Sequence, residues 1–179
     1  DLLSGFERDL RQQRRSLFQA ACRRQSIELG PLLNAINSWR STRLIVLGDT
    51  IVDQYAACEA IGMSAEAPVV VVRELERKNF IGGAAVVAAH ISALGAHCDF
   101  ISVVGADSTA ELVRQELAVQ GIGNGLSADP SRPTTLKKRY VVENLKLFRV
   151  SRLEEHNLDA DVEDQVIAQL QKLAPNADG

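Results

Sequence analysis

Short apolar runs that end at glycine alternate with longer amphipathic segments from residue 43 onward. Residues 44–48 and residues 100–104 are β-branched runs of this kind, a pattern typical of buried parallel strands. Two segments, Ala84 to Leu94 and Ser108 to about Gln120, have the length and periodicity of helices. The order of these strands and helices predicts an α/β fold, in which a parallel sheet is covered by helices on both faces.

Two further regions predict strands outside this alternation. Val69 to Arg73 is a β-like run introduced by Pro68. Residues 135–142 and 145–150 are two more runs, and Glu143-Asn144 lies between them, which predicts a hairpin.

The first strand of the expected hairpin carries a basic stripe. Thr135, Lys137, Arg139 and Val141 share one face, because successive side chains of a strand point to opposite sides. A basic stripe of this kind forms either a solvated face or an anion-binding face. The residues alone leave both readings open.

Helix termini can also be predicted from the sequence. Ser108 and Glu111 have the spacing of a capping box, beside Asp107, which we interpret as a cap. Asp161 is the expected N-cap of a last helix that ends near Leu173. Asp49, directly after the first strand, is interpreted as a turn or cap residue.

Residues 1–42 are predicted to form a helical extension or an inter-domain linker. Apolar residues lie near one helical face, and Gly30-Pro31 is expected to break the stretch before a second helix from Leu32 to Trp39. The first 43 residues carry eight basic and four acidic side chains. A basic surface for nucleic acid or membrane is the alternative, but acidic residues interrupt the charge and no aromatic platform accompanies it. We therefore expect neither a nucleic-acid nor a membrane partner.

The composition is that of a globular protein. The chain has 179 residues, of which 46% are hydrophobic and 24% charged, and its formal net charge is −3. It contains no run of 18 apolar residues and no secretory signal pattern. Three cysteines stand far apart in the sequence, which favours reduced thiols in a cytoplasmic protein: Cys22, Cys58 and Cys98.

Several common catalytic motifs are absent from the sequence. It has no Gly-x-x-x-x-Gly-Lys-Ser/Thr loop and no Gly-x-Ser-x-Gly motif, and the alternating glycines at 121–125 do not complete a dinucleotide fingerprint. The three histidines show no metal-binding pattern, so we expect no metal site. These absences argue against a P-loop enzyme, a Rossmann dehydrogenase and a hydrolase.

The remaining candidates form a constellation that suits a sugar. Asp53 follows the first strand, and a carboxylate in that crevice can accept hydrogen bonds from hydroxyl groups. Gly82-Gly83 precedes a helix, where a ligand can approach backbone N–H groups, although a plain strand-to-helix turn has the same sequence. Lys137 and Arg139 could hold a phosphate.

Six segments together resemble the amino-terminal half of a ribokinase-like (PfkB) carbohydrate kinase. Within that family the resemblance is greatest to the heptose-7-phosphate kinases of ADP-heptose synthesis, and it covers roughly residues 43–179. The segments are Gly48-Asp49-x-x-x-Asp53-x-Tyr55, Ser64-Ala-Glu66-Ala67-Pro68-Val69, Gly82-Gly83-Ala84-Ala85, Ala93-Leu94-Gly95-Ala96, Val103-Val104-Gly105-x-Asp107 and Arg132-Pro133-Thr134-Thr135-x-Lys137.

The resemblance implies a Rossmann-like ribokinase fold and a role for each candidate. Residues 43–179 would be the sugar-binding half of the kinase domain, with strands 69–73 and 135–150 in a small β lid that often pairs across a homodimer. Asp53 would bind sugar hydroxyls, Gly82 and Gly83 would contact the sugar through their backbone, and Lys137 and Arg139 would lie near the substrate's phosphate.

Two departures from the family pattern qualify this reading. Val86 stands at a substrate-binding position where Gly-Gly-Ala-Ala-Asn has asparagine. The family's late Gly-Ala-Gly-Asp motif, which carries the catalytic Asp and the anion hole, is absent, so no catalytic residue is assigned here. We therefore expect a piece of a longer kinase that uses ATP and Mg²⁺, neither of which this segment would bind alone. The alternatives are a non-catalytic sugar-binding or regulatory module, and a scaffold segment of a bifunctional enzyme of sugar-nucleotide biosynthesis.

Overall fold

The computed structural model describes residues 2–143 and 145–179, and it describes side chains from residue 11 onward within these ranges. Asn144, expected in the hairpin turn, therefore lies outside the described residues. The chain divides after Arg40 into two compact units. No helix of the described part is long and apolar enough to cross a bilayer.

The first unit is helical, as the sequence predicts. The break between its two helices, however, lies at residues 25–28, where Ser26 has a φ of 54°, and not at Gly30-Pro31. Pro31 lies in the first turn of the second helix, where a missing backbone N–H costs nothing. The helices are α1 (Leu2–Arg24) and α2 (Leu29–Ser38), and a 3₁₀ turn, Trp39–Ser41, follows.

Among its described residues the second unit combines two sheets with three α-helices and a short 3₁₀ helix, Ala174–Asn176. In chain order its elements are β1 (Arg43–Leu47), β2 (Thr50–Met63), β3 (Val70–Gly83), α3 (Ala84–Ala93), β4 (His97–Val104), α4 (Ser108–Val119), β5 (Gly123–Ala128), β6 (Thr135–Val142), β7 (Leu145–Arg152) and α5 (Ala160–Leu173). The predicted α/β fold with a parallel sheet and helices is confirmed.

The first sheet is parallel, with strand order β1-β4-β5. Its central strand β4 is buried along most of its length, which explains the continuous apolar run that predicted it. Phe100 and Ile101 of β4 are fully buried. Phe100 belongs to a core cluster with side chains of β2, α3 and α4: Val52, Ala85, Ala88, Val113 and Leu117.

The second sheet has the order β3-β2-β6-β7 and is mixed. Strands β2 and β3 form a long antiparallel pair, β2 and β6 are parallel, and β6 and β7 form the predicted antiparallel hairpin. The prediction for β3 was too short, because the strand continues past Arg73 to Gly83. Strand β2 was not predicted at all.

Local features correct two further expectations, and one strand was missed. Asp107, and not Ser108, is the N-cap of α4, and its carboxylate accepts a hydrogen bond from the Ala110 N–H. The N-cap of α5 is Asp159, so Asp161 lies in the first turn. Strand β5 was not predicted from its glycine-rich sequence. Among the described residues the cysteines are free thiols, as expected.

Candidate functional site

A cavity of about 650 Å³ lies at the carboxyl ends of β1 and β4. Gly48 and Asp49 follow β1 on its wall, and Ser102 and Val103 come from β4. The lining also includes the beginnings of β2 and β6, the loop residues Arg132 and Pro133, the segment 153–158 between β7 and α5, and Val166 of α5. Ligands of parallel α/β sheets bind outside the carboxyl ends of the strands, so this cavity is the candidate site.

Gly83 joins β3 to α3 beside this cavity and must be glycine for two reasons. Its φ is +63°, and a β carbon at this position would overlap the carbonyl oxygen of Asp49. That carbonyl oxygen accepts a hydrogen bond of 2.9 Å from the Ala84 N–H at the start of α3. Gly83 and the Asp49 backbone thus fix the helix N-terminus against the end of β1. The N-cap of α3 is Gly83, and Asp49 contributes through its backbone carbonyl.

We expect Gly83→Ala to destabilise the chain more than Gly121→Ala. Both glycines have a left-handed φ, but a β carbon at Gly121 meets nothing within 4 Å. Gly121→Ala should therefore cost only the conformational strain, about 1–2 kcal/mol, while Gly83→Ala adds the clash with Asp49. Denaturant unfolding of both variants measures the difference. Equal losses would show that the close approach at Gly83 costs nothing.

Gly82 makes room for the Asp53 carboxylate. A β carbon at Gly82 would lie 2.9 Å from Asp53 Oδ2. Asp53 is the direct partner of Lys137 in the pairing of β2 with β6, so the two side chains stand on one face of the second sheet. Gly82 thus lies against Asp53, and Lys137 stands on the same face of the sheet. Asp53 lines a second cavity of about 590 Å³ together with Tyr55 and Phe80, whereas Lys137 lines the 650 Å³ cavity.

Arg139 has a different environment from Lys137. Its Nη1 donates a hydrogen bond to Asp53 Oδ1, and both side chains are largely shielded, with 19% of Arg139 and 28% of Asp53 exposed. The hydrogen bond from Arg139 to Asp53 raises the pKa of the guanidinium further above its usual range. The positive charge of Arg139 is therefore already paired with the negative charge of Asp53.

Lys137 lines the 650 Å³ cavity together with Thr135. Within residues 2–143 and 145–179 it has no ion-pair partner. Lys138, on the opposite face of β6, pairs with Glu74 at 3.3 Å and lies over the Tyr140 ring. The two basic residues of the stripe therefore differ: Arg139 is paired with Asp53, whereas Lys137 lines the cavity without an ion-pair partner in the described chain.

A hydrogen-bond network fixes the segment that leads into β6. Asp107 accepts from the Thr134 N–H at 3.0 Å and from the Thr134 hydroxyl at 2.8 Å, and the Gly105 N–H donates to the same hydroxyl oxygen. Burial alone would raise the pKa of Asp107, but the hydrogen bonds from Thr134 and Ala110 outweigh it and lower the pKa below its ordinary value. Asp107 is thus a structural anchor, in line with the cap role expected of it.

Arg132 was not recognised in the sequence as a site residue, yet it organises one wall of the cavity. Its Nε donates to the fully buried Asp129 at 2.6 Å, and its Nη2 donates to the carbonyl oxygens of His156 and Asn157. This side chain ties the segment 153–158 to the loop before β6. The only sequence signal was its place before Pro133 in the Arg-Pro-Thr-Thr segment.

Val86 lies in the first turn of α3 with 37% of its surface exposed. It can offer neither a hydrogen-bond donor nor an acceptor from its side chain. In the described part of the chain, no group of three or more His, Cys, Asp or Glu side chains is placed to hold a metal ion. We therefore assign no metal ligand to these residues.

Comparison with known proteins places the chain among sugar kinases. A family model described as pfkB family carbohydrate kinase matches residues 41–177. A D-beta-D-heptose 7-phosphate kinase of Bordetella bronchiseptica is 41% identical over 114 residues, which are 64% of this chain and 36% of that protein. A bifunctional protein HldE of Bradyrhizobium is 37% identical over 138 residues, which are 75% of this chain and 28% of that protein. The chain thus spans about a third of the length of these relatives.

Solved structures show the same fold at lower identity. A putative sugar kinase from Clostridium perfringens superposes with a TM-score of 0.57 and 16% identity, over 76% of this chain and 42% of its own. A protein described as Sa239 also gives a TM-score of 0.57, with 22% identity, over 77% of this chain and 44% of its own. At this identity the likeness concerns the fold alone.

Proposed function

The chain belongs to the pfkB family of carbohydrate kinases, and from this premise we propose that residues 43–179 bind the sugar substrate of an ATP-dependent kinase. We further propose that this sugar already carries a phosphate, as heptose 7-phosphate does. The observation that carries the proposal is the position of Lys137, a cation on the wall of the 650 Å³ cavity without an ion-pair partner among the described residues. A phosphate is a suitable partner for such a cation.

The surroundings of Lys137 support a sugar in particular. Asp53 is its neighbour across the sheet, and the Asp53 carboxylate can accept hydrogen bonds from sugar hydroxyls. Glycine at position 82 lets the Asp53 carboxylate lie directly against the backbone of β3. The cavity volume lies within the range of ~300–1,000 Å³ that small-molecule sites occupy.

The other parts of the reaction are proposed to lie outside this chain. In phosphoryl transfer a base positions the attacking hydroxyl, while Mg²⁺ and donor groups stabilise the transferring phosphoryl group. These 179 residues lack the Gly-Ala-Gly-Asp motif, and the described ones offer no metal cluster. We therefore assign ATP, Mg²⁺ and the catalytic Asp to the remainder of a longer protein, in which residues 1–42 are a helical extension or linker.

The proposal includes a homodimer formed through the second sheet. Its edge strands β3 and β7 expose apolar side chains that a second copy could cover, namely Val70, Val71, Leu147, Phe148 and Val150. Both strands also leave backbone groups unpaired along one edge of the sheet.

Titration calorimetry with heptose 7-phosphate and with unphosphorylated heptose tests the proposed function. We expect the chain to bind the phosphorylated sugar more tightly, because only that sugar can engage Lys137. Equal affinities would contradict a phosphate site at Lys137. If neither sugar binds, the assignment of a sugar-binding half would be wrong.

A non-catalytic sugar-binding or regulatory module is the second candidate, and Val86 favours it. The side chain at this position in the first turn of α3 has no hydrogen-bonding group, where the family pattern has asparagine. Under this reading the cavity binds a sugar that does not need the asparagine contact, and heptose 7-phosphate is held weakly.

We expect Val86→Asn to strengthen binding of heptose 7-phosphate. One added hydrogen bond is worth about 0.5–1.5 kcal/mol, or roughly two- to tenfold in affinity. Val87→Asn is the matched control, since Val87 is the next residue of α3 and is 52% exposed. An unchanged affinity in Val86→Asn would remove the support that this residue gives to the second candidate.

A further inference from the structure

Asp53 and Arg139 belong to a connected group of side chains on one face of the second sheet. The Arg139 guanidinium donates to Asp53 Oδ1 and also lies over the Tyr55 ring, with its Cζ 5.2 Å from the ring centroid. Tyr55 in turn meets Phe80 edge to face, with the ring centroids 5.7 Å apart. Strands β2, β3 and β6 contribute to this group, so it depends on the sheet and not on one local turn.

Arg139 is held from two directions. Its guanidinium donates a hydrogen bond to the Asp53 carboxylate and lies with its flat face over the Tyr55 ring. Guanidinium groups are well suited to both contacts, because they are planar and carry a delocalised positive charge. In the register of β2 and β6, Tyr55 is the direct partner of Arg139, and Asp53 lies two residues earlier on the same face. The guanidinium is therefore fixed before any ligand arrives.

The two oxygens of Asp53 differ in consequence. Oδ1 accepts the hydrogen bond from Arg139, while Oδ2 lies beside Gly82 and has no hydrogen-bond partner within the described ranges. An oxygen of this kind remains available to accept a hydrogen bond from a ligand hydroxyl. Because the two oxygens belong to one planar carboxylate, the hydrogen bond from Arg139 to Oδ1 also fixes the direction in which Oδ2 points.

We propose that Arg139 is a positioning residue that fixes the orientation of the Asp53 carboxylate, and that it is not a ligand of the substrate's phosphate. The proposal rests on the proposed function in one respect, that Asp53 Oδ2 receives a sugar hydroxyl. Phosphate recognition then belongs to Lys137, which stands on the cavity wall with its charge unmatched in the described chain. The two cations of the basic stripe thus serve two different parts of one sugar phosphate.

The first test measures the orientation of Asp53 in the ligand-free chain. Three-bond couplings from Asp53 Cγ to the backbone nitrogen and carbonyl carbon report the χ1 rotamer populations of its side chain. We expect one dominant χ1 rotamer of Asp53 in the wild-type chain and couplings averaged over several rotamers in Arg139→Ala. In Arg139→Lys we expect the dominant rotamer to be partly restored. Arg149→Ala is the matched control, because Arg149 is the exposed partner of Arg139 on β7. A single retained rotamer in Arg139→Ala would overturn the proposal.

A second pair of variants guards against misfolding of Arg139→Ala. Tyr55→Phe keeps the ring beneath the guanidinium, whereas Tyr55→Leu removes it. In Tyr55→Phe we expect the couplings of Asp53 to indicate one dominant χ1 rotamer, as in the wild-type chain. In Tyr55→Leu we expect couplings that are partly averaged over several rotamers. Identical couplings in both variants, each folded by circular dichroism, would count against a guanidinium held by the ring.

The last test compares heptose 7-phosphate with unphosphorylated heptose by calorimetry. We expect Arg139→Ala to lower both affinities by the same factor, about tenfold, because both sugars use the hydroxyl contact with Asp53. A loss confined to the phosphorylated sugar would make Arg139 a phosphate ligand and overturn the proposal. If the wild-type chain binds neither sugar, the proposed function fails, and the coupling measurements still decide whether Arg139 orients Asp53.

Discussion

Replacing Lys137 with alanine is expected to weaken binding of heptose 7-phosphate by roughly ten- to a hundredfold and to leave binding of unphosphorylated heptose within about twofold. A hydrogen bond between charged groups contributes about 1.5–3 kcal/mol, and each 1.4 kcal/mol is about a factor of ten. Lys137 lines the cavity, and no ion pair competes for its charge in the part of the chain that is described. Calorimetric titration of each sugar into the wild-type chain and into the variant gives the ratio of their dissociation constants for each sugar.

Lys138→Ala is the matched control for this experiment. It removes the same charge from the adjacent residue of β6, whose side chain points to the other face and pairs with Glu74. We expect its affinities for both sugars to match those of the wild-type chain. Equal losses in Lys137→Ala and Lys138→Ala would mean that the basic strand acts through its net charge and contains no phosphate site.

Asp53→Ala is expected to lower the affinities for heptose 7-phosphate and for unphosphorylated heptose by the same factor, roughly tenfold to a few hundredfold. The variant removes the acceptor of the sugar hydroxyls, which are then left without a partner in the bound state, at about 1.5–3 kcal/mol for each lost bond. It also leaves Arg139 without its carboxylate partner. The loss should therefore be independent of the phosphate, which separates it from the loss in Lys137→Ala.

Two further variants make the Asp53 experiment decisive. Asp53→Asn keeps the shape of the side chain but removes its charge, so we expect a loss in the same direction that is no larger than that of Asp53→Ala. Asp164→Ala removes an exposed carboxylate from α5 and should leave both affinities unchanged. Unchanged binding in Asp53→Ala would exclude this residue from the sugar site.

The elements of the parallel sheet could be predicted best where burial is continuous. Strand β4 is central and most of its residues are buried, so apolar side chains dominate the part of its sequence that predicted it, Phe100–Val104. Strand β5 lies in the same sheet but escaped prediction, because Gly123 and Gly125 replace the usual β-branched residues. A β carbon at Gly123 would overlap the Asp99 side chain, so close packing of the neighbouring strand demands glycine there.

Strand β2 shows why the second sheet was harder to predict. Its buried face contains Val52, Ala56 and Cys58, and the last two are small residues that do not signal a strand. The larger side chains lie on the partner strand, where Tyr140 is the register partner of Ala56 and stacks on Phe148 with the ring centroids 4.7 Å apart. The pattern becomes recognisable only when both strands are considered together.

The same pairing explains how much of the site was predictable. Alternation along β6 was enough to place Lys137 and Arg139 on one face. Asp53, however, was expected in the crevice at the carboxyl end of β1, and it lies within β2 of the second sheet. The ion pair between Arg139 and Asp53 was not foreseen, because it joins residues 86 positions apart through a strand that had not been recognised. Arg132 was missed for a similar reason, since its partners on the segment 153–158 are distant in sequence.

The hydrogen bonds described between the second sheet and the first are concentrated at one end of the second sheet. The Thr50 hydroxyl donates to Ser102 at 2.7 Å, the backbone of Ala84 next to Gly83 bonds to Asp49, and Thr134 is fixed by Gly105 and Asp107. These attachments hold the root of β2, β3 and β6, while the far ends of the strands at Met63 and Val70 are exposed. Bending of such a sheet displaces its tip most and its root least. Asp53 and Lys137 stand near the root, so any bending of the outer sheet would change their mutual geometry least.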